Sequence, residues 1–352
     1  MVVQFVELMS SFRMQPRQGA TSMRKRRLGR TGFEVSEISF GCGGTAGLMV
    51  RGSEHEQCAV VGNALERGIN IFDTSPTYGG GDSEVNLGKT LKTLGASPII
   101  STKIDFAPGD LDDLEGAIVR SVQRSQERLN RERLDILYLH SRVGRQRDLG
   151  GRVLSVDDVL QPGGVADVME GLKRKGIVGA VGFTGLGHTD SILEVIEADR
   201  FDLFQAYYNL LNPSAVAPTV AAWRAQDYGE MISKASNRDV GVVGIRVLAA
   251  GALSESGELH RFAKSYSSLS RAEVDADRVK ADAFRAFVPE GASMASLALR
   301  FALSEPMIDT VLVGISERSH LDDAIAAAQA GPLELERLQQ IAARFRELYE
   351  MA

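Results

Sequence analysis

The sequence predicts an α/β protein folded as a single (β/α)8 barrel, and three observations support this prediction. Eight short apolar segments alternate with helix-like segments along the 352 residues, and short apolar strands joined by helices pair most naturally in parallel. Polar residues directly follow several of these segments, at the strand ends where barrels carry their functional groups. The length also suits the fold, because such barrels run to about 250 residues or more as one domain.

The first half of the chain begins with a predicted β-hairpin. Two strand patterns between 25 and 40 flank Leu28-Gly29-Arg30-Thr31-Gly32, whose glycines suit a tight turn. The first barrel strand is predicted over 38–41. The elements predicted next are helix 54–67, strand 69–73, helix 85–94, strand 98–102, a helix with Asp110 as its N-cap, and strand 134–139.

The second half continues the alternation after a long connection over 142–164. The predicted elements are helix 165–175, strand 177–183, helix 190–198, strand 203–207, a helical stretch containing Trp223, strand 242–247, a long polar connection over 254–276, helix 293–303, strand 310–313, and helices from Ser319 and Leu333.

The chain shows no domain linker, so we predict one domain over 23–352, preceded by a mobile N-terminal extension over 1–22. An open, doubly wound sheet is the alternative fold. Gly41-Cys42-Gly43-Gly44-Thr45-Ala46 fits the loose Gly-x-Gly-x-x-Ala form of that fold, but no helix opens directly on the segment.

Composition excludes several classes of function. The hydrophobic share of 44% and charged share of 24% are ordinary for a globular protein, and the net charge of −6 with one short basic run at 24–27 does not favour a nucleic-acid partner. No apolar run approaches the roughly 20 residues that span a membrane, so no membrane partner is expected. Cys42 and Cys58 offer neither metal spacing nor a disulfide framework, which predicts a cytoplasmic protein.

Four ionisable residues lie at or after strand ends in the first half of the chain. Asp73 ends one predicted strand and Tyr78 follows it by five residues, while Lys103 and His140 directly follow two further strands. In a barrel these ends share one face, so the four side chains are expected to meet. Tyrosine is a poor acid at neutral pH, because its ordinary pKa is near 10. The ammonium of Lys103 would lower the pKa of Tyr78, and Asp73 would hold that ammonium in place.

These residues make the chain resemble the aldo-keto reductase superfamily from about residue 25 to about residue 328. The ordered set and the Asp-Thr-x-x-x-Tyr-Gly spacing carry the resemblance. It implies that Asp73, Tyr78, Lys103 and His140 form a catalytic tetrad and that the hairpin closes the bottom of the barrel. It also implies a nicotinamide cofactor, usually NADPH, because side chains supply no hydride. Hydride would then pass between this cofactor and a carbonyl or alcohol carbon, with Tyr78 as general acid or base and His140 orienting the oxygen.

The resemblance extends less completely to cofactor binding. Thr184 and Gln205 match residues that hold the nicotinamide carboxamide in similar enzymes, although Gly185 stands where many have Asn. The segment 246–251 replaces the Tyr-Ser-Pro-Leu-x-x-Gly pattern that is common in similar enzymes, so the usual stacking tyrosine is missing. Arg246 is expected to lie over the cofactor ring in its place or to reach a cofactor phosphate. The glycines at 41, 43 and 44 let backbone approach a ligand, although a plain turn explains them equally, and the small residues at 249–251 would let backbone N–H groups approach the pyrophosphate, with a tight loop as the alternative. The cofactor residues expected on these grounds are Gly44, Thr184, Gln205, Arg246, Leu248, Ala250 and Gly251.

The end of the last strand corresponds to the region that binds the adenosine 2′-phosphate in similar enzymes. The expected cofactor residues there are Gly314, Ser316, Arg318 and His320. Ser316, Arg318 and the following helix N-terminus can hold a phosphate. Glu317 stands in a stretch that is often basic, and it would repel a 2′-phosphate if it pointed inward. The expected cofactor is therefore NADP, with NAD left open.

Two other functions are alternatives to an oxidoreductase. A metal-dependent hydrolase is disfavoured, and no metal is expected, because the five histidines include no His-x-His pair and only His140 directly ends a strand. A cofactor-binding regulatory subunit stays an alternative, since some proteins that resemble the family attach to membrane channels while retaining the tetrad. The segment 246–253 resembles the sugar-dehydrogenase and pyridoxal-type branches, so a small carbonyl compound or sugar is the expected substrate. The sequence does not indicate an oligomeric state.

Overall fold

A closed barrel of eight parallel strands forms the centre of the protein. The computed structural model describes residues 23–43, 47–148, 150, 152–219, 222–254 and 271–350. The barrel confirms the predicted fold class and excludes the open, doubly wound sheet. The extension predicted over 1–22 lies outside the described residues, as do Gly44 and most of the connection predicted over 254–276.

The described strands are numbered in chain order. They are β1 Lys25–Arg27, β2 Glu34–Ser36, β3 Ile38–Gly41, β4 Ile71–Asp73, β5 Ile99–Ile104, β6 Leu134–Leu139, β7 Arg142–Gly144, β8 Val153–Ser155, β9 Val178–Thr184, β10 Leu203–Tyr207, β11 Gly241–Ile245 and β12 Thr310–Gly314. The barrel runs β3-β4-β5-β6-β9-β10-β11-β12, and β12 pairs with β3 to close it.

Helices connect these strands on the outside of the barrel. They are α1 Leu48–Arg51, α2 Glu54–Glu66, α3 Asp82–Leu94, α4 Leu114–Leu129, α5 Val156–Leu160, α6 Val165–Arg174, α7 Thr189–Glu197, α8 Met231–Ser236, α9 Arg271–Asp282, α10 Met294–Leu303, α11 Arg318–Ala330 and α12 Leu335–Glu350. No helix in the described part of the chain is both long and apolar enough to span a membrane.

The β1–β2 hairpin closes the bottom of the barrel, as predicted. Its strands pair antiparallel, with Arg26 opposite Val35. The Arg26 guanidinium donates hydrogen bonds to the carbonyl oxygens of Leu303 at 2.9 Å and Ile308 at 2.6 Å, both in the segment that leads into β12. Gly29 has a left-handed φ of +45°, and a Cβ there would lie 2.1 Å from the backbone nitrogen of Gly241. Only glycine can therefore occupy this turn.

Two apolar layers support the barrel. The inner cluster joins side chains of the hairpin to side chains of the barrel strands, and it comprises Leu28, Val35, Ile71, Ile136, Tyr138, Ala180, Leu203 and Val243. A larger cluster lies between the strands and the helices. Residues two positions apart on a strand face the same side, so the side chains that follow the inner cluster along each strand point into the upper end of the barrel.

Two predictions of local structure are wrong. Asp113, rather than Asp110, caps α4, because its carboxylate accepts from the Gly116 N–H at 3.1 Å. Asp110 begins a short 3-10 turn before this helix. Trp223 lies in the loop before α8, because the chain becomes helical only at Met231. The long connection over 142–164 contains β7, β8 and α5.

Candidate active site

Strand alternation brings the expected site residues to the upper inside of the barrel. Asp73 lies two residues beyond the inner-cluster residue Ile71, and Gln205 lies two beyond Leu203. On β5, Lys103 shares a strand face with Ile99, which packs against the same cluster. Asp73, Lys103 and Gln205 are at most 3% exposed. Their polar groups therefore form a buried layer directly above the apolar filling of the barrel.

Asp73 and Lys103 form an ion pair at the centre of this layer. Lys103 Nζ donates to Asp73 Oδ1 at 2.6 Å and to the Thr74 carbonyl oxygen at 2.7 Å. The second carboxylate oxygen, Oδ2, accepts from the Ser101 hydroxyl and from the Gln205 amide, each at 2.8 Å. Both charges are thus paired and hydrogen-bonded, which is the condition for keeping them in a buried site.

Tyr78 lies at the end of a loop that folds back over the ion pair. Three glycines follow it, and all three have left-handed φ angles, +64°, +67° and +106°. At Gly79 a Cβ would also meet a methyl carbon of Val50 at 2.5 Å. Lys103 Nζ lies 4.7 Å from the centroid of the Tyr78 ring. The glycines let the loop make this return, so the tyrosine stands beside the ammonium.

The electrostatics of this pair differ from the expectation for tyrosine. Burial raises the pKa of Tyr78, and the opposing charge of Lys103 only partly offsets that effect. The prediction of a lowered Tyr78 pKa is therefore wrong in its net direction, because withdrawal from water disfavours the phenolate more than one ammonium stabilises it. Burial also lowers the pKa of Lys103, but the charges of Asp73 and Tyr78 outweigh it, and the net pKa is raised. Lysine stays charged and tyrosine stays protonated at neutral pH.

His140 completes the expected set at the end of β6. The rings of Tyr78 and His140 are nearly perpendicular, with their centroids 6.0 Å apart. His140 Nδ1 lies 2.9 Å from Asp105 Oδ2. Asp105 was not among the residues predicted from the sequence, because the register of β5 against β6 is needed to place it. Ile104 pairs with Leu139, so the residues that follow these two strands are neighbours.

Thr184 and Gln205 meet on the opposite side of Asp73. The Thr184 hydroxyl lies 3.5 Å from Gln205 Oε1, and both side chains are buried. Register explains the contact, because Thr184 and Gln205 are directly paired across β9 and β10. The Gln205 amide therefore links the residues expected at the nicotinamide to the Asp73–Lys103 ion pair.

The loop after β11 has an unusual backbone. Arg246, Ala249 and Ala250 all adopt left-handed φ angles, of 58°, 46° and 56°. Such conformations are costly for residues other than glycine and cluster at functional sites. The Arg246 guanidinium lies 5.7 Å from the centroid of the Tyr207 ring. Leu248 and Gly251 lie in the same loop and are half-buried.

The segment after β12 leads into α11 on the same face of the barrel. Gly314 is exposed, and Ser316 and His320 are half-buried. Arg318 is exposed and forms an ion pair with Asp322, with 3.4 Å between Nε and Oδ2. Glu317 is also exposed, and it accepts a hydrogen bond from the Ser319 hydroxyl at 2.6 Å. Gly44, which was expected to contribute from the first loop, lies outside the described residues.

Comparison with known proteins links the chain to one protein family. The model of the Aldo/keto reductase family matches residues 37–344. L-galactose dehydrogenase from Arabidopsis thaliana is 29% identical over 87% of this chain and 88% of its own length. D-threo-aldose 1-dehydrogenase from a Pseudomonas species is 26% identical, with 82% and 88% covered. A probable voltage-gated potassium channel subunit beta from Arabidopsis thaliana is 25% identical, with 91% and 96% covered.

Solved structures agree with the fold. An aldo-keto reductase from Bacillus halodurans, in its holo form, superposes with a TM-score of 0.68 at 24% identity, and 92% of this chain and 96% of that chain are covered.

Proposed function

Because the chain belongs to the aldo/keto reductase family, we propose that it is an NADP(H)-dependent oxidoreductase that interconverts small carbonyl compounds or sugars and their alcohols. The observation that carries this proposal is the position of Lys103. Its ammonium is buried against Asp73 and stands beside Tyr78. A purely structural barrel has no need for a buried ion pair against a tyrosine at the mouth, since buried ion pairs seldom add stability.

In this proposal Tyr78 is the general acid. Its raised pKa keeps it protonated at neutral pH, which is the form that can give a proton to a carbonyl oxygen. As that oxygen gains negative charge, the Lys103 ammonium beside the tyrosine stabilises the phenolate left behind. His140 makes a second contact with the same oxygen. Asp73 holds Lys103, and through Ser101 and Gln205 it is itself held in one position.

The residues around this centre fit a nicotinamide nucleotide. When bound, such a cofactor supplies the hydride that no side chain can supply. Thr184 and Gln205 offer a buried hydroxyl and amide that match a carboxamide. The left-handed turns at 249–251 carry only small residues, which would let backbone approach a ligand closely, and the first turn of α11 offers Ser316, Arg318 and backbone N–H groups to phosphate. Arg318 favours NADP over NAD.

A second candidate is the regulatory subunit. One relative is named a probable channel subunit, and the tetrad residues alone do not separate the two functions. A docking subunit needs a contiguous apolar surface. Among the described residues the large exposed apolar side chains are Val85, Leu94, Val279 and Leu335, and these are distributed over three helices. This distribution favours the enzyme.

A substrate screen tests the proposal. Purified protein would be incubated with aldehydes, aldoses and the corresponding alcohols and each nicotinamide cofactor, while the absorbance of the reduced nicotinamide is followed. We expect steady turnover with NADP(H), and a rate lower by roughly 10²- to 10⁴-fold for Tyr78→Phe in parallel assays. Tight binding of NADPH without turnover of any compound would instead support the regulatory subunit.

A further inference from the structure

A carboxylate stands above the Asp73–Lys103 ion pair at the open end of the barrel. Asp105 directly follows β5 and lies two residues beyond Lys103, and residues two apart on a strand face the same side. A strand rises about 3.3 Å per residue, so Asp105 lies roughly 6.6 Å closer to the open end. Its side chain is 28% exposed, whereas that of Lys103 is 1% exposed. The Asp105 carboxylate therefore forms part of the wall around the mouth of the site.

Asp105 is close to both groups that the proposed function assigns to the substrate oxygen. Its Oδ2 lies 2.9 Å from His140 Nδ1. The hydroxyl of Ser75, in the loop that carries Tyr78, donates to the same oxygen at 3.4 Å. Burial is the main cause of the raised pKa of Tyr78, and the negative charges of Asp73 and Asp105 add to it. The charge of Asp105 therefore acts at the place where the substrate oxygen is expected.

The Asp105 carboxylate has hydrogen-bonding capacity left for a ligand. Both of its contacts use Oδ2, and in the described part of the chain no hydrogen bond reaches the other oxygen, Oδ1. A carboxylate offers about four acceptor positions and no donor. Beneath it, the opposite charges of Asp73 and Lys103 are paired with each other, so that layer does not neutralise Asp105. A ligand group that suits this position donates a hydrogen bond and carries no negative charge.

We infer that Asp105 determines substrate specificity: it accepts a hydrogen bond from a hydroxyl group close to the reacting carbon, and it repels substrates that carry an acid group in that position. The substrate class is thereby narrowed to neutral hydroxy-aldehydes and hydroxy-ketones, including sugars, and to the corresponding diols. This inference rests on the proposed function, because it names the substrate class of the same site.

The expected size of the effect follows from one hydrogen bond and one charge. A hydrogen bond to a charged group is stronger than a neutral one, and a site that bonds a substrate hydroxyl rejects the analogue that lacks it. Because Asp105 is partly exposed, we expect a preference of roughly three- to thirtyfold for the hydroxyl. Two negative charges about 4–6 Å apart near a protein surface repel each other enough for roughly five- to a hundredfold discrimination.

Three small aldehydes test the inference by kinetics. Glycolaldehyde, propanal and glyoxylate carry a hydroxymethyl, an ethyl and a carboxylate group on the aldehyde carbon, and kcat/KM would be measured for each in wild type and in Asp105→Asn. The amide keeps the size of the side chain and removes its charge. We expect the wild type to prefer glycolaldehyde to propanal and propanal to glyoxylate. In Asp105→Asn the first preference should fall by roughly three- to tenfold and the second by at least about fivefold.

Two control variants separate the charge from the structure around it. Asp105→Glu keeps the charge and should keep the wild-type order of the three aldehydes. Asp112→Asn removes an exposed carboxylate from the connection that follows β5, and it should leave both preferences unchanged. A role of Asp105 in holding His140 alone would lower kcat/KM for all three aldehydes by one common factor. Preferences that are the same in wild type and Asp105→Asn would therefore overturn the inference.

Ligand-observed NMR separates this inference from the proposed function, because it needs no turnover. 1,2-Propanediol, 1-propanol and lactate would be titrated into wild type and Asp105→Asn with NADP+ present. We expect the diol to bind the wild type most tightly and lactate most weakly, with smaller differences in the variant. This pattern without turnover of any compound would refute the proposed function alone. Three equal affinities in the wild type would overturn the role of Asp105, whichever compounds turn over.

Discussion

At the scale of single residues, the Tyr78 hydroxyl is the group whose removal separates chemistry from binding. Tyr78→Phe keeps the ring beside Lys103 and takes away only the acid. A positioned acid contributes roughly 10²- to 10⁴-fold in rate, so we expect kcat for carbonyl reduction to fall by that factor while NADPH affinity stays nearly unchanged. Steady-state rates and fluorescence titration measure the two effects. A variant that retained more than about a tenth of the wild-type kcat would rule out the acid role.

Lys103→Met tests the ammonium beside the tyrosine. The positive charge lowers the pKa of Tyr78 against the larger effect of burial, so its removal should raise that pKa further. The limb of the pH–rate profile that reports Tyr78 should then move to higher pH, and the rate should fall. The variant also leaves the buried Asp73 carboxylate without its cation, which costs about 3–5 kcal/mol of stability. A lower rate with an unmoved profile would indicate that the lysine is only structural.

Arg318→Ala tests the choice between the two cofactors. A charge-assisted hydrogen bond contributes about 1.5–3 kcal/mol, so loss of the guanidinium should weaken NADPH by roughly ten- to a hundredfold. NADH lacks the 2′-phosphate and should bind the variant as it binds the wild type. If Glu317 faces the ribose instead, Glu317→Ala would improve NADPH binding. Equal NADPH affinity in wild type and Arg318→Ala would show that the 2′-phosphate does not bind at the start of α11.

The site could be predicted from sequence where a residue ends a predicted apolar strand or directly follows it. Asp73, Lys103 and His140 meet this condition, and the structure brings them together with Tyr78. Asp105 could not be found in this way, because β5 continues two residues beyond its predicted end at 102. The direction of the pKa shift of Tyr78 could not be predicted from the sequence either, because it depends on how deeply packing buries the hydroxyl relative to the charge of Lys103.

At the scale of helices and strands, two helical glycines test how packing limits substitution, because one has no space for a Cβ and the other has. Gly88 lies in α3, where a Cβ would meet the Arg128 carbonyl oxygen at 2.6 Å. Gly62 lies in α2, where the nearest atom to a Cβ would be a Leu94 methyl carbon at 3.6 Å, an ordinary contact. We expect Gly88→Ala to destabilise by about 1–3 kcal/mol through overpacking. Gly62→Ala should stabilise by about 0.5–1 kcal/mol through helix propensity.

Chemical denaturation of the two alanine variants measures this difference. An unchanged free energy of unfolding in Gly88→Ala would mean that α3 and α4 can move apart without cost. Both substitutions are Gly→Ala in a helix interior, so the gain in helix propensity is the same for both. The difference between their free energies of unfolding therefore reports the packing around each position.

The elements themselves were largely predictable, and the errors have physical causes. Strands β6 and β10 match their predicted bounds, because each is a short apolar run in a fixed alternation. The sequence predicts a helical stretch that contains Trp223, but the structure places this residue in a loop. In the structure its ring stacks on Phe345 of α12, with centroids 5.6 Å apart. This contact with a distant helix holds the loop before α8 in place, although the local sequence pattern predicts a helix there.

At the scale of the whole molecule, the buried carboxyl of Glu305 at the bottom of the barrel should make the free energy of unfolding depend on pH. Burial raises the pKa of Glu305 to about 7, with a hydrogen bond from the Met307 N–H and the charge of Arg26 opposing it. In the folded state the carboxyl therefore binds a proton more tightly than in the unfolded chain. Its contribution is favourable below its ordinary pKa of about 4.5 and is lost as pH rises toward about 7.

Glu305→Gln isolates this contribution. The amide keeps an oxygen for the Met307 N–H and carries no charge at any pH. We expect the variant to gain stability relative to the wild type as pH rises from about 5 to 8, by on the order of one to three kcal/mol. Denaturation of both proteins across this pH range gives the difference. A difference that stayed constant with pH would show that Glu305 does not change its protonation in this range.

Closure of the barrel has a consequence for the protein during its synthesis. β3 near the start of the chain pairs with β12 near its end, and Arg26 bonds a carbonyl oxygen 282 residues further on. At typical translation rates the first strand waits on the order of ten to fifty seconds for its partner. Throughout that time the growing chain on the ribosome has two unpaired strand edges and exposed apolar side chains at the bottom of the barrel, and such surfaces aggregate readily. We therefore expect the nascent chain to need shielding by chaperones until about residue 314 has emerged.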